Sequence, residues 1–161
     1  MTVKNKIAFG IATFFGSGLA PLAPGTIGSL ATIPLAFVLA YYFGIYGIAI
    51  GCVVCFIIGT WAISIVLKTS KHDPSFVVID EVVGQLLTFL PLADELQYNA
   101  HATILYLLGF MLFRLFDITK PQPAKWADKK VRNAWGVMLD DVFAGIYAAV
   151  VLYVINLWIY A

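Results

Sequence analysis

The chain has 161 residues, 61% of them hydrophobic and only 12% charged, with a mean hydropathy of +0.91. Soluble domains hold roughly 45–50% apolar and ~25% charged residues, so this composition excludes a water-soluble core of this size and points to a bilayer. The net charge is +1, and no basic stripe with interleaved aromatics appears, which excludes nucleic acid as a partner.

Lys4 and Lys6 open the chain before an apolar stretch that superficially resembles a signal peptide. The small-residue segment Gly16 to Gly28, however, runs through Pro21 and Pro24 into another long apolar run, so the stretch reads as part of the mature protein. Ile7–Phe15 is too short to span a membrane and reads as an interfacial or re-entrant helix. Leu30 to Leu67 holds 38 residues without a charge, too many for one crossing of a ~30 Å hydrocarbon core. Gly44, set among Tyr41, Tyr42, Phe43 and Tyr46, marks a turn with aromatics suited to the membrane interface. Two helices follow, about 26–43 and 45–67, with Pro34 a candidate kink.

Three more spanning segments are expected downstream. Phe76 to Ala93 carries Asp80 and Glu81 near its start and Pro91 near its end. Leu96 to Phe113 is uncharged and is followed at once by Arg114, and Val142 to Ala161 follows Asp140 and Asp141. The expected fold is therefore all-α: a polytopic helical membrane protein with about five spanning helices plus the amino-terminal helix, forming one domain over 1–161. Five crossings put Lys4 and Lys6, Lys68 and Lys71, and the group from Lys120 to Arg132 on one face, as the positive-inside rule requires of the cytoplasmic side. The most loop-like segment is Lys120 to Asn133, with Pro121 and Pro123. Cys52-x-x-Cys55 lies inside an unbroken apolar run rather than a βαβ setting, so it reads as a pair of buried membrane thiols and not a redox motif.

Charges within membrane segments cost ~2.5–3.5 kcal/mol each at the centre on insertion scales. Asp80, Glu81, Arg114, Asp117, Asp140 and Asp141 are all expected at the cytoplasmic ends of three helices, where they can converge in one shallow site. The two acidic pairs supply the hard oxygen ligands that Mg²⁺ prefers, although adjacent helical residues are ~100° apart and need not face one ion. A plainer reading makes them water-exposed helix starts favoured by the dipole. Arg114, Asp117 and Lys120 share one helical face at i, i+3 and i+6. Arginine can hold a phosphate with a bidentate fork and lysine can add a point charge, while Asp117 is either a further metal ligand or their ion-pair partner. Lys129, Lys130 and Arg132 read as positive-inside anchors. The segment Phe15 to Leu30 could cradle a phosphate through backbone N–H groups, with Thr26 capping the next helix and Ser29 nearby, or simply pack closely. His72 is a weak candidate, since a lone loop histidine is usually just solvated. The sequence has no Cys-x5-Arg loop, no Asp-x-Asp and no G-x-S-x-G elbow, which leaves metal-activated water attacking phosphorus as the simplest route.

The strings Gly16-Ser-Gly-Leu-Ala-Pro with Pro24-Gly-Thr-Ile-Gly-Ser-Leu30, Asp80-Glu81, Phe113-Arg-Leu-Phe-Asp-Ile-Thr-Lys-Pro-Gln-Pro123 with Asp128, and Gly136-Val-Met-Leu-Asp-Asp-Val-Phe-Ala-Gly145 occur in this order. Together they resemble the phosphatidylglycerophosphatase A family. The resemblance implies Mg²⁺-dependent hydrolysis of the terminal phosphomonoester of phosphatidylglycerophosphate, giving phosphatidylglycerol and phosphate. It also implies a bacterial inner-membrane location and Asp80, Glu81, Asp117 and Asp141 as catalytic residues. Metal ligands would come from these four and Asp140, and substrate contacts from Arg114, Lys120, Thr26 and Ser29. The implied partners are the bilayer and the phospholipid substrate, and no oligomeric state follows. Two other classes compete. CDP-alcohol phosphatidyltransferases need an Asp-Gly-x2-Ala-Arg string that is absent here, and carboxylate-based ion transporters place their charges near the bilayer midplane.

Overall fold

The computed structural model describes residues 2–68, 74–98, 101–131 and 133–160, so His72, Lys71 and Arg132 lie outside the described residues. Seven α-helices and no strand occur among them: α1 (Val3–Ala12), α2 (Pro24–Val66), α3 (Ile79–Phe89), α4 (Ala93–Tyr98), α5 (Ala102–Thr119), α6 (Ala124–Lys130) and α7 (Ala134–Tyr160). Three helices are long and apolar enough to cross a membrane: α2, α5 and α7. The expected all-helical membrane class holds at that level; the count of about five spanning helices goes beyond it.

Helix α2 is a hairpin. Its 43 residues are interrupted at Gly44, whose φ of 56° and ψ of −144° are accessible to glycine alone. A Cβ on Gly51 would lie 2.6 Å from Leu39 Cδ1, whereas twelve residues of straight helix would separate the two by about 18 Å. The arms 24–43 and 45–66 therefore fold back on each other, as expected from the sequence. Pro34 causes no break, since Gly44 alone departs from helical dihedrals within α2. Cys52 and Cys55 are free, half-buried thiols in the second arm.

The expected third span differs most. Helix α3 has only 11 residues, about 16 Å of rise, and gives way at Pro91 to a 3₁₀ turn, Leu90–Leu92, before α4. The path still reaches the far end of the hairpin. Gln97 Nε2 donates to the Tyr41 carbonyl at 2.5 Å, and a Cβ on Gly44 would meet Asp94 Oδ1 at 3.4 Å. Nine of the 11 residues of α3 are buried, polar Asp80, Gln85 and Thr88 among them. Protein, not lipid, surrounds this helix, so it is free of the length and apolarity that a lipid-facing span needs.

The close approach of α3 to α7 fixes the rest. A Cβ on Gly145 would stand 2.5 Å from the Gly84 carbonyl oxygen and 3.0 Å from its Cα, and one on Gly84 would stand 2.7 Å from the Asp141 carbonyl oxygen. Only glycine at both positions lets the backbones touch. Helix α7 also begins eight residues earlier than expected, because Asn133 Oδ1 accepts from the N–H groups of Trp135 (3.0 Å) and Gly136 (3.3 Å) and so caps it. Asp140 and Asp141 thus lie well inside α7 rather than ahead of it. Helix α5 runs on through Arg114 and Asp117 to Thr119 and is closed by Lys120 in the left-handed conformation. The loop expected over 120–133 contains the short helix α6, and α1 starts at Val3 and ends three residues before Phe15.

Candidate active site

Asp80 and Asp141 each precede by four residues a glycine of the α3–α7 contact. One helical turn is about 5.4 Å, so the backbone contact at Gly84 and Gly145 carries both carboxylates to the same end and sets them side by side. Carboxylate oxygens of Asp80, Glu81 and Asp141 lie within 4.8 Å of one another, and Asp80 and Asp141 are buried. The Asp80 Oδ1 also accepts from the Glu81 backbone N–H at 3.1 Å, which orients that side chain at the start of α3.

Helix α5 brings up the basic side. Arg114 Nη1 pairs with Asp117 Oδ2 at 2.6 Å and approaches Glu81 Oε1 at 3.9 Å. It also donates to Ser29 Oγ at 3.5 Å. Ser29 is fully buried and donates in turn to the Gly25 carbonyl at 2.9 Å, so it stands behind Arg114 as a support. Thr26 is half-buried and does not cap α2. That position belongs to Ala23, which makes no side-chain cap bond, and Thr26 does not line the cavity described below.

Lys120 sits between two carboxylates, at 2.6 Å from Asp140 Oδ2 and 2.9 Å from Asp128 Oδ1. Partial burial works against its charge, but the hydrogen bonds to Asp140 and Asp128 outweigh that and raise its pKa. Asp140 is therefore drawn to Lys120, while Asp80, Glu81 and Asp141 form the tight acidic group. Asp80, Glu81, Arg114, Asp117, Lys120, Asp128, Asp140 and Asp141 line one polar cavity of about 330 Å³, closed on another side by Ala23, Pro24 and Gly25. A larger groove of about 640 Å³ between the second arm of α2 and the start of α7 carries no acidic residue.

The donor set fits a divalent cation. Three carboxylates this close repel one another unless a cation or protons intervene, and Glu81 Oε2 and Asp140 Oδ1 are buried without a hydrogen-bond partner. Hard oxygen ligands at such a spot suit Mg²⁺.

Several contributions were not legible. Gly25 fell within the segment read as a phosphate cradle, but its part is another: a Cβ there would overlap Glu81 Oε1 and lie 3.3 Å from Arg114 Nη1, so the glycine gives these two heads their room. Asp128 appeared only within a motif string, and Gly84 had no distinguishing signal.

A cavity of buried carboxylates and an arginine, beside helices long and apolar enough to cross a membrane, gives the chain the character of a membrane protein with a polar, charge-lined site. The phosphatidylglycerophosphatase A family model matches residues 10–156, and the chain belongs to that family. It is 35% identical over 149 residues to phosphatidylglycerophosphatase A of Escherichia coli, covering 91% of this chain and 81% of the relative. It is 38% identical over 152 residues to the Haemophilus influenzae protein of the same name, covering 92% and 88%. A Bacteroides thetaiotaomicron protein provisionally named phosphatidylinositol-3-phosphatase is 35% identical, covering 88% and 89%. No solved structure matches the chain.

Proposed function

We propose that the protein is a Mg²⁺-dependent phosphatidylglycerophosphate phosphatase of a bacterial inner membrane, with its site on the cytoplasmic face. The observation that carries this reading is the convergence of Asp80, Glu81 and Asp141 with Arg114 in one cavity at the ends of membrane helices. Asp80, Glu81 and Asp141 would hold the ion, with Asp117 and Asp140 beside them. Bound there, Mg²⁺ would offset the charge of the phosphate and polarise its P–O bonds.

The chain's own groups do the rest. Arg114 is held by Asp117 and Ser29, and its Nε is buried without a partner, so it retains a donor for a phosphate oxygen. Asp117 keeps the guanidinium in that orientation. Lys120 ties α5 to α7 through Asp140 and to α6 through Asp128, which holds the cavity walls together around the headgroup. In the reaction a water oxygen bonds to phosphorus as the bond from phosphorus to the terminal glycerol oxygen breaks, releasing inorganic phosphate and leaving a glycerol hydroxyl. Basic residues on the same side, Lys4, Lys6, Lys68, Lys129 and Lys130, support the cytoplasmic placement.

The test is phosphate release by the purified protein from phosphatidylglycerophosphate and, in parallel, from phosphatidylinositol 3-phosphate, with Mg²⁺ and with a chelator. Chelator-sensitive turnover that favours phosphatidylglycerophosphate supports the reading. Preference for the inositol lipid would move the substrate assignment, and turnover indifferent to chelation would remove the metal.

A further inference from the structure

The segment between α1 and α2 is built unlike an ordinary surface loop. Phe14, Phe15 and Ala23 have φ of 43°, 56° and 47°, and Gly16 has φ of 95°. Left-handed backbone at a bulky side chain is strained, and water-exposed loops meet that need with glycine or asparagine. Here Phe15 is 87% exposed, Leu22 82% and Leu19 56%. These residues lie outside the spanning helices, so the lipid-facing sides of those helices do not account for them.

The segment is nonetheless firmly held. Thr13 is buried; its hydroxyl donates to the Gly10 carbonyl (3.3 Å) and accepts from the Gly16 N–H (3.2 Å). Its own carbonyl accepts from Ser17 Oγ (3.2 Å) and the Gly18 N–H (3.0 Å). Gly18 packs so closely on the Phe76 carbonyl that a side chain there would overlap it. A rigid, strained frame therefore displays apolar side chains outward. The same segment runs directly into Ala23, Pro24 and Gly25, which form a wall of the acidic cavity. On its other side, α1 exposes Val3 and Ile7 with Lys4 and Lys6, the pairing of apolar and basic groups that suits an anionic lipid surface.

We infer that residues 13–23 form a lip seated in the headgroup–acyl boundary of the bilayer, where Phe15, Leu19 and Leu22 hold the lipid substrate at the mouth of the cavity. The occupant is a lipid surface, continuous with the bilayer around the spanning helices. The kinetic consequence rests on the lipid-phosphatase reading; the depth of the lip does not.

Two measurements test it. Phe15→Asn combined with Leu22→Ser removes the apolar contacts while leaving a residue that tolerates left-handed backbone. On long-chain phosphatidylglycerophosphate in mixed micelles, the KM expressed as mole fraction should rise about tenfold, with kcat within about twofold. A water-soluble dibutanoyl analogue should be cleaved as by the unaltered protein. An unchanged long-chain KM, or equal losses on both substrates, would overturn the lip. If the unaltered protein cleaves neither substrate, the phosphatase reading fails and depth alone decides.

For depth, a nitroxide is attached at Phe15→Cys in a Cys52→Ala, Cys55→Ala background and reconstituted in vesicles containing anionic phospholipid, with Lys125→Cys as the water-exposed reference. The Phe15 label should collide with oxygen and be shielded from a water-soluble nickel chelate. Exposure to the chelate would place the lip in water, and shielding from both reagents would give this surface to a protein contact. Either result overturns the proposal.

Discussion

Replacing Gly145 by alanine adds one methyl group at the crossing of α3 and α7. Its Cβ would stand 2.5 Å from the Gly84 carbonyl oxygen, about 0.9 Å short of the 3.4 Å at which ordinary contact begins. Backbone cannot swing aside as a flexible side chain would, so the helices must part by a similar distance. Asp141 lies one turn from this wedge, and Asp80 one turn from Gly84 on the facing helix, so their separation takes up much of the shift. Displacements near 1 Å in a reacting constellation can cost ~10²-fold in rate, whereas overpacking costs about 1–3 kcal/mol of stability. The expected result is a kcat lower by about 10²-fold, with a raised Mg²⁺ half-saturation and a folded protein by thermal melting in detergent. Gly10→Ala is the control, since nothing lies within 4 Å of its added Cβ. Activity within about twofold of the unaltered protein for Gly145→Ala would refute the spacing argument.

Asp80→Asn and Asp141→Asn each remove a charged oxygen while nearly keeping shape, so turnover should collapse at ordinary Mg²⁺; Asp94→Asn, at the far end of the hairpin, should leave it intact. Steady-state kinetics of the three variants decide this, and near-normal rates for the first two would exclude their metal role. Arg114→Lys keeps the charge and loses the planar fork, so kcat/KM should fall by about 10²-fold or more, whereas neutralising exposed Lys129 and Lys130 together should give a small, salt-sensitive rise in KM. Gly25→Ala should lower kcat by displacing the Glu81 and Arg114 heads, and a variant indistinguishable in rate would show that they have slack.

The hairpin at Gly44 was legible because a charge-free run too long for one crossing needs a break, and only one glycine there stood among interfacial aromatics. The acidic and basic site residues were legible because charge is rare in so apolar a chain. The start of α7 was not, since hydropathy marks where charges stop, and it passed over Asn133, whose cap extends the helix back beyond Asp140. Hydropathy likewise merged α3, the Pro91 turn and part of α4 into one span, because burial by protein and burial by lipid select similar residues. The ~100° between adjacent helical residues meant that Asp140 and Asp141 need not face one ion; that Asp140 is the one turned to Lys120, at 2.6 Å, depends on the three-dimensional position of that lysine. Thr26 looked like a cap by composition, yet Pro24 already starts the helix one residue after Ala23.

The brevity of α3 bears on how the protein is made. A segment of 11 residues that carries Asp80, Glu81 and Gln85 and breaks at Pro91 is too short to cross a ~30 Å hydrocarbon core on its own. The α2 hairpin, α5 and α7 meet the requirements of length and apolarity without it. Their assembly supplies the sheath into which α3 can settle, and two of the three clustered carboxylates arrive with it. A chain in which this helix has not docked therefore holds no complete acidic cluster.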